Sequence, residues 1–177
     1  MKEGEVTIWT IGHSTRTLDG FLGLLSLNGI EAVADVRRFP GSRKYPHFDL
    51  EALRDSLSRV GVEYVPLPEL GGRRRPRPDS SNTVWRNASF RGYADYMETG
   101  GFRAGIARLL ELGEIKRTAI MCAEAVWWRC HRSMIADQLK VMGVCVRHIM
   151  GEQESTVHPY TAVARVLDGK LSYPSGI

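Results

Sequence analysis

The chain has 177 residues, 43% of them hydrophobic and 25% charged, the balance of an ordinary globular protein with a substantial core. No apolar run approaches the roughly 20 residues of a membrane helix, and the N-terminus carries no signal-peptide apolar region, so a cytoplasmic protein with no membrane partner is expected. The net charge of +4 is mild, but arginines crowd into DVRRFPGSRK and LGGRRRPRP, which makes the positive charge local.

Val6–Thr10 reads as a buried strand that runs into IGHSTR. TLDGFLGLLSLNG follows with apolar residues at helical spacing, Thr17 as N-cap and Gly29 just past the end. Ala32–Val36 is a short apolar strand that stops at Asp35–Arg37. DLEALRDSLSRVG is a helix that Asp49 can cap; Leu50, Leu53, Leu57 and Val60 form one face, and Gly61 ends it. VEYVPLPEL begins as a strand and is broken by Pro66 and Pro68. GGRRRPRPDSSNTVW has no hydrophobic period and reads as a long loop. SFRGYADYMETGGFRAGIARLLELG is one helix with a glycine interruption, or two. RTAIMCA, HRSMIADQLKVMG and VCVRHIM read as strand, helix and strand; the tail carries a weak helix, PYTAVARVL, and a short KLSYP.

Strands apolar on both faces alternate here with helices, which calls for a parallel sheet covered on both sides. The expectation is a single α/β domain over 1–177: a three-layer, Rossmann-like sandwich on a mostly parallel five-stranded sheet, with 150–177 a C-terminal extension packed on it. No Gly-x-Gly-x-x-Gly follows the first strand, so no ordinary dinucleotide site is expected.

In such sheets ligands bind beyond the carboxyl ends of the strands. The unusual polar residues fall there almost every time. His13, Ser14 and Arg16 follow the first strand; Asp35, Arg37, Arg38, Ser42 and Arg43 follow the second. Glu69 and the arginine run that begins at Arg73 follow the third, Cys122 and Glu124 the fourth, and His148 ends the fifth. Each has a plainer reading. Asp35 can pair with a neighbouring arginine, His13 can be a turn histidine, and His148 inside an apolar strand reads as a buried, hydrogen-bonded group. The run Arg73–Arg75 with Arg77 reads as a solvated loop, although Trp85 and Phe90 beside Arg86 and Arg91 have the composition that stacks on bases and holds phosphates. Tyr93, Tyr96 and Phe102 read as core.

Three chemistries compete for MCAEAVWWRCHR. In the first, Cys130 is a nucleophile at a helix N-terminus beside Arg129, His131 and Arg132, an environment that lowers a thiol pKa. The phosphatase spacing from Cys122 would need an arginine at 128, where Trp128 stands. In the second, Cys122, Cys130 and His131 hold a metal, though their spacing matches no common zinc pattern. In the third, helix amides and Arg132 hold a phosphate or carboxylate, Glu124 acts as acid, base or hydroxyl acceptor, and the cysteines are packing groups. An odd number of cysteines, three, points to reduced thiols, and Cys145 inside the last strand reads as packing.

The segments TIGHSTR (10–16), DVRRFPGSRKYPHF (35–48), YVPLPELGGRR (64–74), WRNASFRGYADYM (85–97), MCAEAVWWRCHRSMIADQL (121–139) and VRHI (146–149) together resemble the family catalogued as domain of unknown function 488, over nearly the full length. The resemblance implies a compact α/β domain and, carried across residue by residue, a site of His13, Ser14, Asp35, Arg37, Ser42, Arg43, Cys122, Glu124, Cys130, His131 and Arg132. It implies no activity.

The leading expectation is an enzyme, a hydrolase or transferase, acting on a phosphate-bearing, nucleotide-like small molecule or on a base or sugar of nucleic acid. Arginines would bind phosphate, Asp35 or Glu124 would be base or nucleophile, and His13 or His131 would move protons. The alternatives are a non-catalytic nucleic-acid-binding module and a metal or redox protein using Cys122 and Cys130. Neither a cofactor nor an oligomeric state is legible.

Overall fold

A computed structural model describes residues 5–175; residues 1–4 and 176–177 lie outside the described residues. Five parallel strands form the body of one sheet: β1 (Thr7–Gly12), β2 (Ala32–Asp35), β3 (Glu63–Pro66), β4 (Thr118–Cys122) and β5 (Cys145–Ile149). A sixth, β6 (Thr156–Val157), pairs antiparallel with β5, giving the order β3-β2-β4-β1-β5-β6. The five-stranded expectation is corrected by this edge. Two exposed residues carry no period of their own, and they are a strand only because the free edge of β5 is there to pair with.

The five α-helices of the described residues are α1 (Leu18–Leu27), α2 (Leu50–Arg59), α3 (Ala88–Tyr96), α4 (Gly100–Ile115) and α5 (Arg132–Val141). Local chemistry sets their ends. The Thr17 hydroxyl accepts from the Gly20 N–H, and Gly29 turns the chain with φ +65° after α1. Two separate caps, Asn87 and Thr99, make α3 and α4 distinct helices. Asp49 stands at the N-cap position of α2, yet its carboxylate accepts from Ser42 N at 2.6 Å instead of from the helix.

The weak C-terminal helix is not formed. Residues of that stretch enter a hairpin, β7 (Arg165–Leu167) and β8 (Lys170–Ser172), turned by Asp168 and Gly169 at φ +52° and +73°. Asp-Gly between short apolar runs favours that turn, and its local preference outweighs the helical spacing upstream.

Side chains alternate across the sheet and divide the core in two. Ile8, Ala34, Ile120 and Val146 pack with Tyr93 of α3, Phe102, Ile106 and Leu109 of α4, and Met134 and Ile135 of α5. Trp9, Ile11, Val33, Ala119 and Met121 pack on the other side with Phe21 and Leu25 of α1 and Leu53 and Leu57 of α2. The result is a mixed α/β sandwich of three layers. The segment after β5 returns over α5, where Tyr173 is buried in the first core.

Candidate functional site

The carboxyl ends of β1 and β4 are pinned side by side. Beyond the ladder, His13 N–H donates to the Cys122 carbonyl at 2.9 Å and Ser14 N–H to that of Ala123 at 3.0 Å. Gly12 is required there, because a Cβ would stand 1.6 Å from the Glu124 carbonyl oxygen. Beyond this junction opens a cleft of about 810 Å³. His13, Ser14, Arg37, Ser42, Arg73, Cys122 and Glu124, which follow strands, line it together with Cys130 and His131 from the N-terminus of α5.

Its floor carries two thiols. The Sγ atoms of Cys122 and Cys130 lie 3.0 Å apart, and both residues are buried. With both groups protonated, Cys130 donates to Cys122 and Cys122 to the Glu124 carbonyl at 3.7 Å, while Cys130 Sγ accepts from the Arg132 N–H at 3.4 Å; once Cys130 loses its proton, the Cys122 S–H can turn to it. The hydrogen bond with Cys122 lowers the Cys130 thiol pKa most, and the Arg132 charge and amide add to it against the effect of burial. Cys122 is pushed up by the same bond and by burial, so it keeps its proton. His131 completes the group. Its Nε2 is 3.0 Å from the Val36 carbonyl and must be the N–H, which leaves the Nδ1 lone pair 3.4 Å from Cys130 Sγ. Burial lowers the His131 pKa, so the ring is neutral and able to accept the thiol proton.

Arg132 lies outside the cleft lining but behind this floor, fully buried. Its Nη2 donates to the Ala125 carbonyl at 3.2 Å, and its Nε and Nη1 have no hydrogen-bond partner among the described residues. It carries the positive charge against which a Cys130 thiolate is stabilised.

Asp35 is buried and does not line the cleft. Arg37 binds it through Nε at 2.9 Å and Nη2 at 2.7 Å, and the Tyr64 hydroxyl donates to it at 2.5 Å. Burial and then the Asp35 charge raise the Tyr64 pKa, which keeps that hydroxyl a donor. Arg37 Nη1 goes to the Phe48 carbonyl at 2.7 Å. His13 donates from Nδ1 to the Ser14 carbonyl at 3.0 Å and stacks on Phe48 at 4.4 Å; burial lowers its pKa. Asp35 and Arg37 thus brace the floor. Among the carboxylates of the described residues, Glu124, exposed, is the one that lines the cleft.

The rim is cationic and aromatic. Arg38, Lys44, Arg73 and Arg129 line it with Phe39, Tyr45 and Phe90. Phe39 is 60% exposed, with the guanidinium carbons of Arg38 and Arg73 at 5.3 and 5.8 Å from its ring centre. The N-termini of α3 and α5 reach the cleft through Asn87, Ser89, Cys130 and His131, adding their positive ends to the field. Phe39, Lys44 and Tyr45 are not among the sequence-predicted residues; the aromatics of FPGSRKY carry no periodic signal, and Lys44 is one more charge in a basic stretch.

Other expected residues stand elsewhere. Arg43 is absent from the lining, and Arg16 is occupied by the Gly12 and Met150 carbonyls at 3.0 and 3.2 Å. The arginine loop is partly tied down: Arg74 lies 3.7 Å over Tyr96 and Arg77 bonds Glu98 at 2.8 Å. Trp85, partly buried, packs on Phe90 and Tyr173 with ring centres 5.1 and 5.4 Å apart. Among the described residues no three His, Cys, Asp or Glu groups converge as a metal-ligand set.

His148 is buried and hydrogen-bonded, in a relay behind the cleft. Thr10 Oγ1 lies 2.6 Å from His148 Nδ1, His148 Nε2 lies 2.9 Å from His158 Nδ1, and His158 Nε2 lies 2.7 Å from Asp137 Oδ1. Asp137 also accepts from the hydroxyls of Thr161 at 2.6 Å and Tyr173 at 2.8 Å. The Trp127 ring, in the loop that ends at Cys130, stacks on His148 at 4.6 Å and 4° from parallel. The relay ties the C-terminal segment and the thiol-bearing loop to the sheet.

The family described as "Domain of unknown function DUF488" matches residues 17–139. That span holds the thiol pair, His131, Arg132 and the rim, whereas the first and last resembling segments, TIGHSTR and VRHI, lie outside it. Comparison with curated proteins and with solved structures finds no match.

Proposed function

The chain belongs to the DUF488 family, and from its cleft we propose that it is an enzyme acting on a phosphate-bearing, nucleotide-like small molecule. The observation that carries the reading is the rim: an exposed Phe39 flanked by two guanidiniums, at the mouth of a cationic cleft. A planar base stacks on such a ring, and phosphate oxygens pair with arginine and with the ends of α3 and α5. We read the sandwich as Rossmann-like, supported by ligand-sized space at the carboxyl ends of β1 and β4. Glu124 is the general base or nucleophile of the reading, replacing Asp35, whose oxygens are engaged by Arg37 and Tyr64. Three unpaired thiols fit a reducing, cytoplasmic setting.

The test is calorimetric titration of nucleoside monophosphates against the corresponding nucleosides. Monophosphates bind and nucleosides bind more weakly; added salt weakens the former, and Phe39→Ala weakens both. Glu124→Gln keeps the binding and loses turnover of whichever monophosphate is consumed. No binding by any monophosphate, or no effect of Phe39→Ala, sinks the reading.

A further inference from the structure

The two thiols on the floor of the cleft have no role in that reading, and their surroundings are specific. Sulfur atoms 3.0 Å apart need to approach by about 1 Å to reach the disulfide length near 2.05 Å. Cys130 has the groups of an attacking thiol: the His131 Nδ1 lone pair at 3.4 Å to take its proton, the Arg132 N–H at 3.4 Å, and the buried Arg132 guanidinium behind it. Cys122 has those of a resolving thiol, being deeper and protonated, with the Glu124 carbonyl at 3.7 Å. Tyr93 covers the far side of His131, ring centres 5.0 Å apart, and Glu124 is the acidic group facing the floor from the loop. Cys145, in β5, has no such partners and belongs to neither core.

We propose that Cys130 and Cys122 form a thiol–disulfide exchange site that takes an anionic low-molecular-weight disulfide through the cationic cleft. Cys130 gives its proton to His131, and its sulfur attacks one sulfur of the disulfide R–S–S–R. The Cys130–S–S–R bond forms, the old S–S bond breaks, and the leaving RS⁻ takes the proton from His131. Cys122 then attacks the Cys130 sulfur: the Cys122–Cys130 bond forms, the Cys130–S–R bond breaks, and the second RS⁻ takes up the proton that Cys122 gives up and leaves as RSH. Two protein thiols are oxidised and one external disulfide is reduced to two thiols. The acidic class follows from Arg38, Lys44, Arg73 and Arg129 at the mouth. The site needs the cleft but not a nucleotide, so it stands or falls independently of the binding titrations above.

The full chain, reduced and freed of reductant, is mixed with oxidised glutathione as the probe, quenched by acid at intervals, and digested for disulfide mapping. A Cys122–Cys130 linked peptide is expected, forming faster in the folded protein than in urea, and faster with oxidised glutathione than with the uncharged hydroxyethyl disulfide. Cys122→Ser halts at a mixed disulfide on Cys130, and Cys130→Ser loses the link. The wild-type map carries the test if a variant does not fold. Modification confined to Cys145, or a link that forms no faster folded than in urea, overturns the site. Equal rates with the two disulfides overturn the anionic class.

Discussion

Acidification should loosen the loop that carries Cys130, and the size of the effect follows from His148. The ring is buried between Thr10, His158 and Trp127, and burial, then His158 and Arg132, lower its pKa from 6.5 to about 3. A histidine whose pKa is lower in the native state binds its proton more weakly there than in the unfolded chain. The neutral ring is accommodated at neutral pH, and stability falls as pH drops below 6.5 toward 3. At pH 5, about 1.5 pH units below the unfolded value, the loss relative to pH 7 is roughly 2 kcal/mol. Urea unfolding followed by tryptophan fluorescence at pH 7 and pH 5 measures it, since Trp127 stacks on the ring in question. His148→Gln has no such proton to bind. It is less stable at pH 7, and its loss between pH 7 and pH 5 is smaller than the wild-type loss by about 2 kcal/mol. Parallel pH dependences of the two proteins would refute this role for His148, because the slope would then come from other groups.

Three further outcomes follow from the geometry of the floor and the loop. Asp35→Asn leaves the buried Arg37 facing a neutral amide and costs about 3–5 kcal/mol of stability, read as a lower urea midpoint with unchanged slope. Gly12→Ala drives a Cβ into the Glu124 carbonyl, so the β1–β4 junction must separate; soluble yield falls sharply, and whatever folds has lost monophosphate binding. Arg75→Ala with Arg86→Ala removes exposed charges outside the cleft lining and leaves monophosphate affinity unchanged in calorimetry. A nucleic-acid-binding module would instead show a salt dependence shallower by about 1.8, at roughly 0.9 for each phosphate that is no longer neutralised.

Much of the scaffold is legible in the chain because it is locally encoded. The apolar runs at Val6–Thr10 and Thr118–Cys122, the Thr17 cap and Gly29 all act within a turn or two of themselves. What fails is marginal or dependent on a partner: the two-residue edge strand needs β5, and the C-terminal helix yields to an Asp-Gly turn. Asp49 shows the same conflict on one side chain, since a turn amide at Ser42 N captures the carboxylate that helix spacing offers as a cap.

The site divides along the same line. Strand order and alternation bring His13, Ser14, Arg37, Cys122 and Glu124 to one cleft, where they are readable as polar groups at strand ends, and the N-terminus of α5 adds Cys130 and His131. Residue type and spacing do not fix which way a side chain turns. Asp35 ends a strand like the others, but its bonds to Arg37 and Tyr64, a residue 29 positions away, turn it inward. Cys122 and Cys130 match no metal or phosphatase spacing, and the seven residues between them give no hint that their sulfurs meet. Hydrophobic period and turn residues are local properties, and from them the layers and the end of the sheet where these polar side chains gather can be read directly. Which charges are paired, which thiol faces Arg132, and that His148 braces the loop before Cys130 through Trp127 emerge only on folding. Those outcomes are set by contacts between residues far apart in the chain, whose strength depends on burial that no single segment contains.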